Sequence, residues 1–354
     1  MKAIQLVAHG KPGTFELRDV PDPHAKPDEV VVQVQSCGLN HLDLWLEEAG
    51  LPIPVQLPRT PGGEIAGRII EIGPPGSAGA PGWKVGDAVA VQSHIFCGEC
   101  EFCQRGEESL CLRGEILGVQ RDGGFAEKVL VPTRALVRLP DGVDFDTSAA
   151  LTLAGSTAMH MLTERTHVKQ GDWVLAIGGA SGVGSAAIQI AKQLGARVIS
   201  TGSTEAKRAL ASHLGAEFVI DSNDVNWPAE VRKLTDKRGV DVVVEHVGGD
   251  VLLKCFECLA RGGTIVTCGA TAGRDVSLNL WPFFVKQHRL IGSYGRNQTD
   301  LEATLQWAAE GKLKPVIDSI FPLDQTAAAF AKLRGRHALG KVLIEPFEPE
   351  AEGD

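Results

Sequence analysis

The sequence predicts an α/β chain: a doubly wound parallel sheet preceded by a β-rich domain. Three observations carry this. From about residue 150 short apolar runs alternate with helix-like segments, the pattern of a parallel sheet with helices on both faces. A glycine-rich turn, "GGASGVG" at 178–184, joins the apolar run "DWVLAI" to the helix-like "SAAIQIAKQLGA". Before residue 140, β-branched runs lie between Pro and Gly turn signals, as in a compact β domain.

In chain order, "MKAIQLVAHG" reads as a first strand and is too short and polar for a signal peptide. "EVVVQVQSCGL", "EIAGRIIEIG", "DAVAVQ" and "AEKVLVP" read as further strands, with "GPPGSAGAPGW" (73–83) a surface loop among them. "LTLAGSTAMHMLTER" reads as a helix. The alternating region then runs through "RVISTGS", "EFVID", "VDVVVEHVGG", "TIVTCGATAG" and "RLIGSYGR". The tail from about 297 holds two helices and two strand-like pieces that this sheet does not need. They are expected to return to the first domain. The predicted organisation is therefore 1–140 with 297–354 as one domain and 141–296 as the dinucleotide-type domain.

The 354 residues suffice for two domains, and 44% apolar with 22% charged residues argues for a packed chain. Thirty-five Lys plus Arg against 44 Asp plus Glu give −9, which argues against a general nucleic-acid surface. No apolar run approaches the roughly 18 residues of a membrane span. A cytoplasmic protein acting on a small molecule is expected.

The glycine turn matches a dinucleotide fingerprint, with Gly179, Ser181 and Gly184 at its small positions and Gly182 as a further one. The stretch Gly179, Ala180, Ser181, Gly182, Val183, Gly184 opens a helix whose N–H groups and dipole suit a pyrophosphate. About 20 residues on, where NAD binders place an acid, stand Gly202 and Ser203, followed by Lys207 and Arg208. A hydroxyl with nearby cations favours a 2′-phosphate, so NADP(H) is expected over NAD(H). Glu205 is the counterargument.

Four of the eight cysteines crowd into "CGECEFCQRGEESLC": Cys97, Cys100, Cys103 and Cys111. In a reducing compartment such a cluster signals metal rather than disulfides. The spacing puts four thiolates on one loop, which suits a tetrahedral zinc.

With "GLNHLDLW", "PGGEIAG", the cysteine lobe, "GGASGVG", "VVEHVGG" and the closing "LGKVLIEP", the chain resembles the medium-chain dehydrogenase/reductase superfamily along nearly its whole length. The resemblance implies a split GroES-like catalytic domain around a Rossmann domain, and one structural zinc per chain on the lobe at about 94–114. It also implies a homodimer or homotetramer, often joined through the last Rossmann strand, here "RLIGSYG". Val247, Gly248, Gly269 and Ala270 would approach the nicotinamide ribose by backbone.

The zinc-dependent alcohol dehydrogenases of that superfamily bind a catalytic zinc through a Cys, a His and a second Cys. The matching positions here read Asn40, Gly63 and Leu153. Glu64 keeps the position after the missing His, and Asp43 keeps the neighbouring acid. Catalytic zinc needs about three protein donors. Without that Lewis acid an alcohol has no help in losing its proton. "GLN" at 38–40 resembles the quinone oxidoreductases. The expected activity is thus NADP(H)-dependent hydride transfer to a quinone or an activated C=C bond. Asn40 is the expected oxyanion donor, His41 a possible acid together with His94, and Asp43 and Glu64 are further site residues. Trp45, Trp281, Phe283 and Phe284 are pocket-wall candidates, with the interface or core favoured for the two phenylalanines. Tyr294, the lone tyrosine, is expected at the sheet edge, so solvent becomes the proton source. Two alternatives stand beside this reading: an alcohol dehydrogenase whose zinc site is rebuilt from His41, His94 and Glu64, and an NADPH-binding protein without turnover.

Overall fold

The structure, a computed structural model, describes residues 1–74 and 82–347, so most of the 73–83 loop lies outside the described residues. The chain divides into two compact units: 1–153 with 297–309 and 317–354, and 154–296 with 310–316.

The first unit opens with the antiparallel pair β1 (Lys2–Ala8) and β2 (Thr14–Asp19). β3 (Glu29–Leu39) follows and leads directly into the short helix α1 (His41–Glu47). Next come β4 (Glu64–Ile72), β5 (Ala88–Val91), β6 (His94–Ile95), α2 (Glu101–Gln104), β7 (Glu115–Ile116), β8 (Lys128–Pro132), β9 (Leu136–Arg138) and α3 (Phe145–Thr152). β6 pairs antiparallel with β7 and so closes the base of the cysteine loop. Val30, Val32 and Val34 of β3 and Ile65 and Ile69 of β4 fill the core with Phe125 and Phe330. Such β-branched side chains pack well on a pleated surface.

In the second unit, α4 (Ala154–His160) precedes β10 (Trp173–Ala176), α5 (Gly182–Gln193), β11 (Arg197–Gly202), α6 (Glu205–His213), β12 (Phe218–Asp221) and α7 (Trp227–Leu234). β13 (Val240–Glu245), α8 (Gly249–Cys258), β14 (Leu259–Thr267), α9 (Leu280–Val285) and β15 (Arg289–Gly292) complete it. The six strands form one parallel sheet in the order β12-β11-β10-β13-β14-β15. Strand order reverses between β10 and β13, and ligands of such sheets bind at the carboxyl ends beside that reversal.

The tail supplies α10 (Gln298–Ala309), β16 (Ile317–Pro322), α11 (Thr326–Arg334) and β17 (Lys341–Glu345). β16 and β17 complete the seven-stranded sheet of the first unit, with β17 antiparallel to β3 in the register Val342↔Leu39, Leu343↔Gly38, Ile344↔Cys37. The first unit runs on to Leu153, past the expected boundary at 140, because α3 packs Ala149 and Ala150 against Ala66 and Leu343. Residues 310–316 belong instead with the second unit, where Gln189 and Lys314 exchange hydrogen bonds of 2.9 and 3.0 Å.

Candidate functional site

The glycine turn begins one residue earlier than the fingerprint alignment suggests. The left-handed residue is Gly178 (φ +62), and its N–H donates to Thr201 Oγ1 at 3.0 Å. Gly179 serves a different need, since a Cβ there would lie 2.2 Å from Ser200 Oγ and 2.8 Å from Ile188 Cδ1. Ala180 is buried. Ser181 caps α5, its Oγ accepting from Gly184 N at 2.9 Å. A Cβ on Gly184 would stand 2.2 Å from Gly178 O, so the helix can meet the turn only through glycine. Among the described residues, the N–H groups of Gly182 and Val183 donate to no protein acceptor. They are the open first-turn donors that an anion at a helix N-terminus uses.

Two side chains, half-buried His246 and buried Glu245, shape the neighbouring loop and were not singled out from the sequence. His246 Nε2 lies 3.0 Å from Ile177 O and 3.1 Å from Ser181 Oγ, and burial lowers its pKa, favouring the neutral ring. Glu245, wholly buried, accepts from Val247 N (2.6 Å), Gly248 N (2.7 Å) and Thr267 Oγ1 (2.7 Å). These bonds fold Val247 and Gly248 over the end of β13. Gly248 lies against the next loop, where a Cβ would be 2.4 Å from Gly273 O. Ala272 N donates to Val247 O at 2.7 Å, and Gly269 packs on His246 O. Val247, Gly248, Gly269 and Ala270 thus share one pair of tied loops beside the α5 cradle.

At the end of β11, Gly202 leads to Ser203 and the α6 cap Thr204. Arg208 donates to Gly202 O at 3.1 Å and stands 3.1 Å from Asp221 Oδ2. Asn223 Nδ2 donates to Ser203 O at 2.6 Å. Lys207 occupies the first turn of α6 beside Glu205. Ser203, Lys207 and Arg208 thus follow one another around this corner, and Asp221 from β12 pairs with Arg208.

In the first unit, Asn40, Asp43, Glu64 and Lys341 form a buried cluster at the junction of β3 and α1. Lys341 Nζ donates to Leu39 O (2.8 Å) and Asn40 Oδ1 (2.7 Å) and ion-pairs with Glu64 Oε2 at 2.5 Å. Asn40 Nδ2 donates to Glu64 Oε2 (2.9 Å) and Gly38 O (3.3 Å). The amide hydrogens expected for an oxyanion are thus engaged inside the cluster. Glu64 Oε1 accepts from Leu153 N at 2.6 Å. Asp43 accepts from Asn40 N (2.8 Å) and Gly62 N (3.2 Å), and burial pushes its carboxyl up to about 6. His41 is the exposed first residue of α1, whereas His94 is buried against Gly114.

A catalytic metal does not fit these residues. The amide oxygen of Asn40 faces an ammonium, both carboxylate oxygens of Glu64 are hydrogen-bonded, and Gly63 and Leu153 bring no side-chain donor. Cys37 is fully buried, and desolvation raises its thiol pKa well above the usual value. Among the described residues, the four lobe cysteines are the one group of three or more metal-type side chains whose ligand atoms converge. His41, His94 and Glu64 do not, which removes the rebuilt zinc site.

The lobe fits zinc well. The four sulfurs lie within 4.8 Å of one another, with Cys97–Cys103 at 3.9 Å, Cys100–Cys103 at 3.5 Å and Cys100–Cys111 at 4.0 Å. Zinc–sulfur bonds of about 2.3 Å place tetrahedral thiolates roughly 3.8 Å apart. Backbone N–H groups of Glu99 and Cys100 point at Cys97 Sγ and hold its pKa down to about 5.

Of the aromatic candidates, Trp45 is half-buried, Phe283 packs on Phe256 at 5.9 Å, and Trp281 and Phe284 are exposed as a T-shaped pair at 5.0 Å. Tyr294 follows the edge strand β15.

Residues 26–141 match the alcohol dehydrogenase GroES-like domain and residues 182–310 the zinc-binding dehydrogenase family. Over 98% of its length the chain is 31% identical to an acryloyl-coenzyme A reductase of Sulfurisphaera tokodaii, of which it covers 100%. It is 30% identical to a quinone oxidoreductase of Pongo abelii, covering 97% of each chain. A crystal structure of an NAD-dependent alcohol dehydrogenase superposes with a TM-score of 0.93 at 36% identity, over 98% of this chain and 100% of that one. A Rossmann sheet with its cradle, a GroES-like unit and a four-cysteine lobe, matched along the whole length, make this chain an oxidoreductase of the medium-chain dehydrogenase/reductase superfamily.

Proposed function

We propose that the chain is an NADP(H)-dependent reductase of activated C=C bonds or quinone-type acceptors, working without a catalytic metal. The observation that carries this reading is the Lys341–Glu64 pair with Asn40: a buried ammonium rather than a divalent ion balances the carboxylate. Electron-poor acceptors need orientation for hydride transfer rather than a Lewis acid. An alcohol substrate would need its proton removed, a task usually given to zinc-bound chemistry. The relatives named for acryloyl-coenzyme A and quinone reduction support the acceptor class.

A nicotinamide cofactor, when bound, supplies the hydride. The chain's own residues divide the remaining work. Gly182 and Val183 offer N–H groups to the pyrophosphate. Ser203, Lys207 and Arg208 meet a 2′-phosphate. Glu245 and His246 fix the loops that carry Val247, Gly248, Gly269 and Ala270. Asn40, Asp43, Glu64 and Lys341 are positioning residues that lock the β3–α1 junction. On such an acceptor the hydride would add to the electron-poor carbon, with the π electrons moving onto the conjugated oxygen and water supplying the proton.

We further propose a cytoplasmic homodimer or homotetramer. β15 is an edge strand with Leu290 exposed, and α9 presents Trp281 and Phe284 to solvent. Unpaired strand edges and apolar patches invite a second copy.

The test is oxidation of NADPH against a panel of quinones, enones and enoyl thioesters after chelation of labile metal. Turnover that survives chelation supports the proposal. Activity restored only by added zinc, or tight NADPH binding without turnover on any acceptor, would overturn it.

A further inference from the structure

The second unit holds a solvent-open cavity of about 430 Å³ lined by Arg232, Lys237, Arg238, Arg261 and Lys286, with Leu259 and Ala260 as its other walls; Lys237, Arg238 and Arg261 are exposed, and Arg232 and Lys286 half-buried. Arg238 precedes β13, Arg261 lies early in β14, and Lys286 follows α9. The cavity therefore sits at the amino ends of the parallel strands. The cofactor cradle is at their carboxyl ends, roughly 20 Å away for a six-residue strand.

The charge here is unusual for a chain of net charge −9. Among the described residues, no acid lines the cavity. Arg238 is paired with Asp241, at 2.6 Å. Among the described residues, Arg232, Lys237, Arg261 and Lys286 form no ion pair. The guanidinium groups are held by neutral main-chain oxygens instead. Arg232 donates to Leu259 O at 3.5 Å and to Lys237 O, and Arg261 to Val285 O at 3.4 Å. Such partners orient a fork without neutralising it. Asp236 and Lys237 both adopt positive φ (+51 and +65), which folds the turn after α7 back on the helix. Lys237 N reaches Arg232 O at 2.6 Å as a result.

Like charges gathered in this way repel, and an anion bound among them relieves the repulsion that solvent screening leaves. Arginine forks match phosphoryl oxygens in pairs. One phosphate group brings about two negative charges near neutral pH, so four unpaired cations call for two or more phosphoryl groups. The volume falls within the roughly 300–1,000 Å³ of small-ligand sites, while the cationic lining is wrong for an apolar ligand. We propose that this cavity binds a small polyphosphate anion, either an inorganic chain or the phosphate tail of a nucleotide, at a site separate from the cofactor cradle.

The test is calorimetric titration of the full chain, saturated with NADPH to occupy the cradle, with inorganic tripolyphosphate and separately with ATP. One tripolyphosphate per chain is expected. The triple variant Lys237→Gln, Arg261→Gln, Lys286→Gln is expected to lose roughly 30-fold or more in affinity. Its NADPH affinity and melting temperature should not change. Equal binding of both ligands assigns recognition to the phosphate chain, and tighter ATP binding assigns it to a nucleotide; either supports the proposal. Failure of the wild type to bind at about 1 mM, or unchanged binding by the triple variant, would overturn it. So would a single-stranded oligonucleotide that binds through the same residues far more tightly than tripolyphosphate. None of these outcomes depends on which acceptor the enzyme reduces.

Discussion

Lys341 Nζ lies 2.5 Å from Glu64 Oε2, with both side chains almost wholly out of water (5% and 0% exposed). The pairing is built by the sheet. β17 runs beside β3, which sets Lys341 next to Leu39 and Asn40, while β4 sets Glu64 opposite Gly38. The ammonium is shared among a carboxylate, an amide oxygen and a main-chain carbonyl, so neither charge is left bare.

Removing one partner should therefore hurt more than removing both. Lys341→Met leaves a buried carboxylate without its counter-charge, a change that typically destabilises by about 3–5 kcal/mol. The double variant Glu64→Gln, Lys341→Met should be less damaged than the sum of the singles. Urea unfolding of the four proteins measures the coupling, and strict additivity would show that the pair is not buried as described.

Asp43 gives a pH signature. Its folded-state pKa of about 6 is above the usual aspartate value of about 3.9 because burial opposes its charge. Between those values the folded state binds more protons than the unfolded one, so this group makes stability fall as pH rises. The loss is complete above about pH 6 and on the order of 3 kcal/mol at most. Asp43→Asn should remove that slope. The check is the difference between wild-type and variant stability curves from pH 4 to 7, and a flat difference would refute the assignment.

The cysteine lobe should melt alone. Without zinc, the segment between β6 and β7 has few buried residues to order it. Cys100→Ser should expose 97–114 to limited proteolysis while circular dichroism of the whole chain changes little. Global unfolding of this variant would show that the lobe supports more of the fold than its own loop.

Cofactor choice should follow the corner at the end of β11. Arg208→Ala leaves Asp221 without its cation and should weaken NADPH by roughly 10-fold or more while leaving NADH nearly unchanged. A separate variant, Gly184→Val, should abolish binding of both, since its Cβ would stand 2.2 Å from Gly178 O. Fluorescence titration with each cofactor decides both points. Equal losses for NADPH and NADH in Arg208→Ala would contradict the 2′-phosphate reading.

Much of this is legible in the sequence. "EVVVQVQSCGL" and "RLIGSYGR" contain β3 and β15, because β-branched runs between turn residues are a local signal. Cysteine spacing within one loop is local too, and it sufficed for the lobe. The rest depends on chain topology. Lys341 reaches Asn40 only through the β17–β3 register, and nothing near "GKVLIEP" announces it. The bonds of Ser181 to His246 and of Arg208 to Asp221 likewise join different strand ends. The left-handed residue at Gly178 rather than Gly179 was hidden because both are glycine. The five-cation cavity was invisible because its residues come from α7, the strand starts and the end of α9.

The most direct test of the proposed metal-free site is a zinc count on Cys100→Ser after saturation with zinc and removal of loosely held ions. With the lobe disabled, the account predicts essentially no tightly bound zinc and retained hydride transfer to an activated acceptor. One zinc per chain, lost on Glu64→Gln, would contradict it.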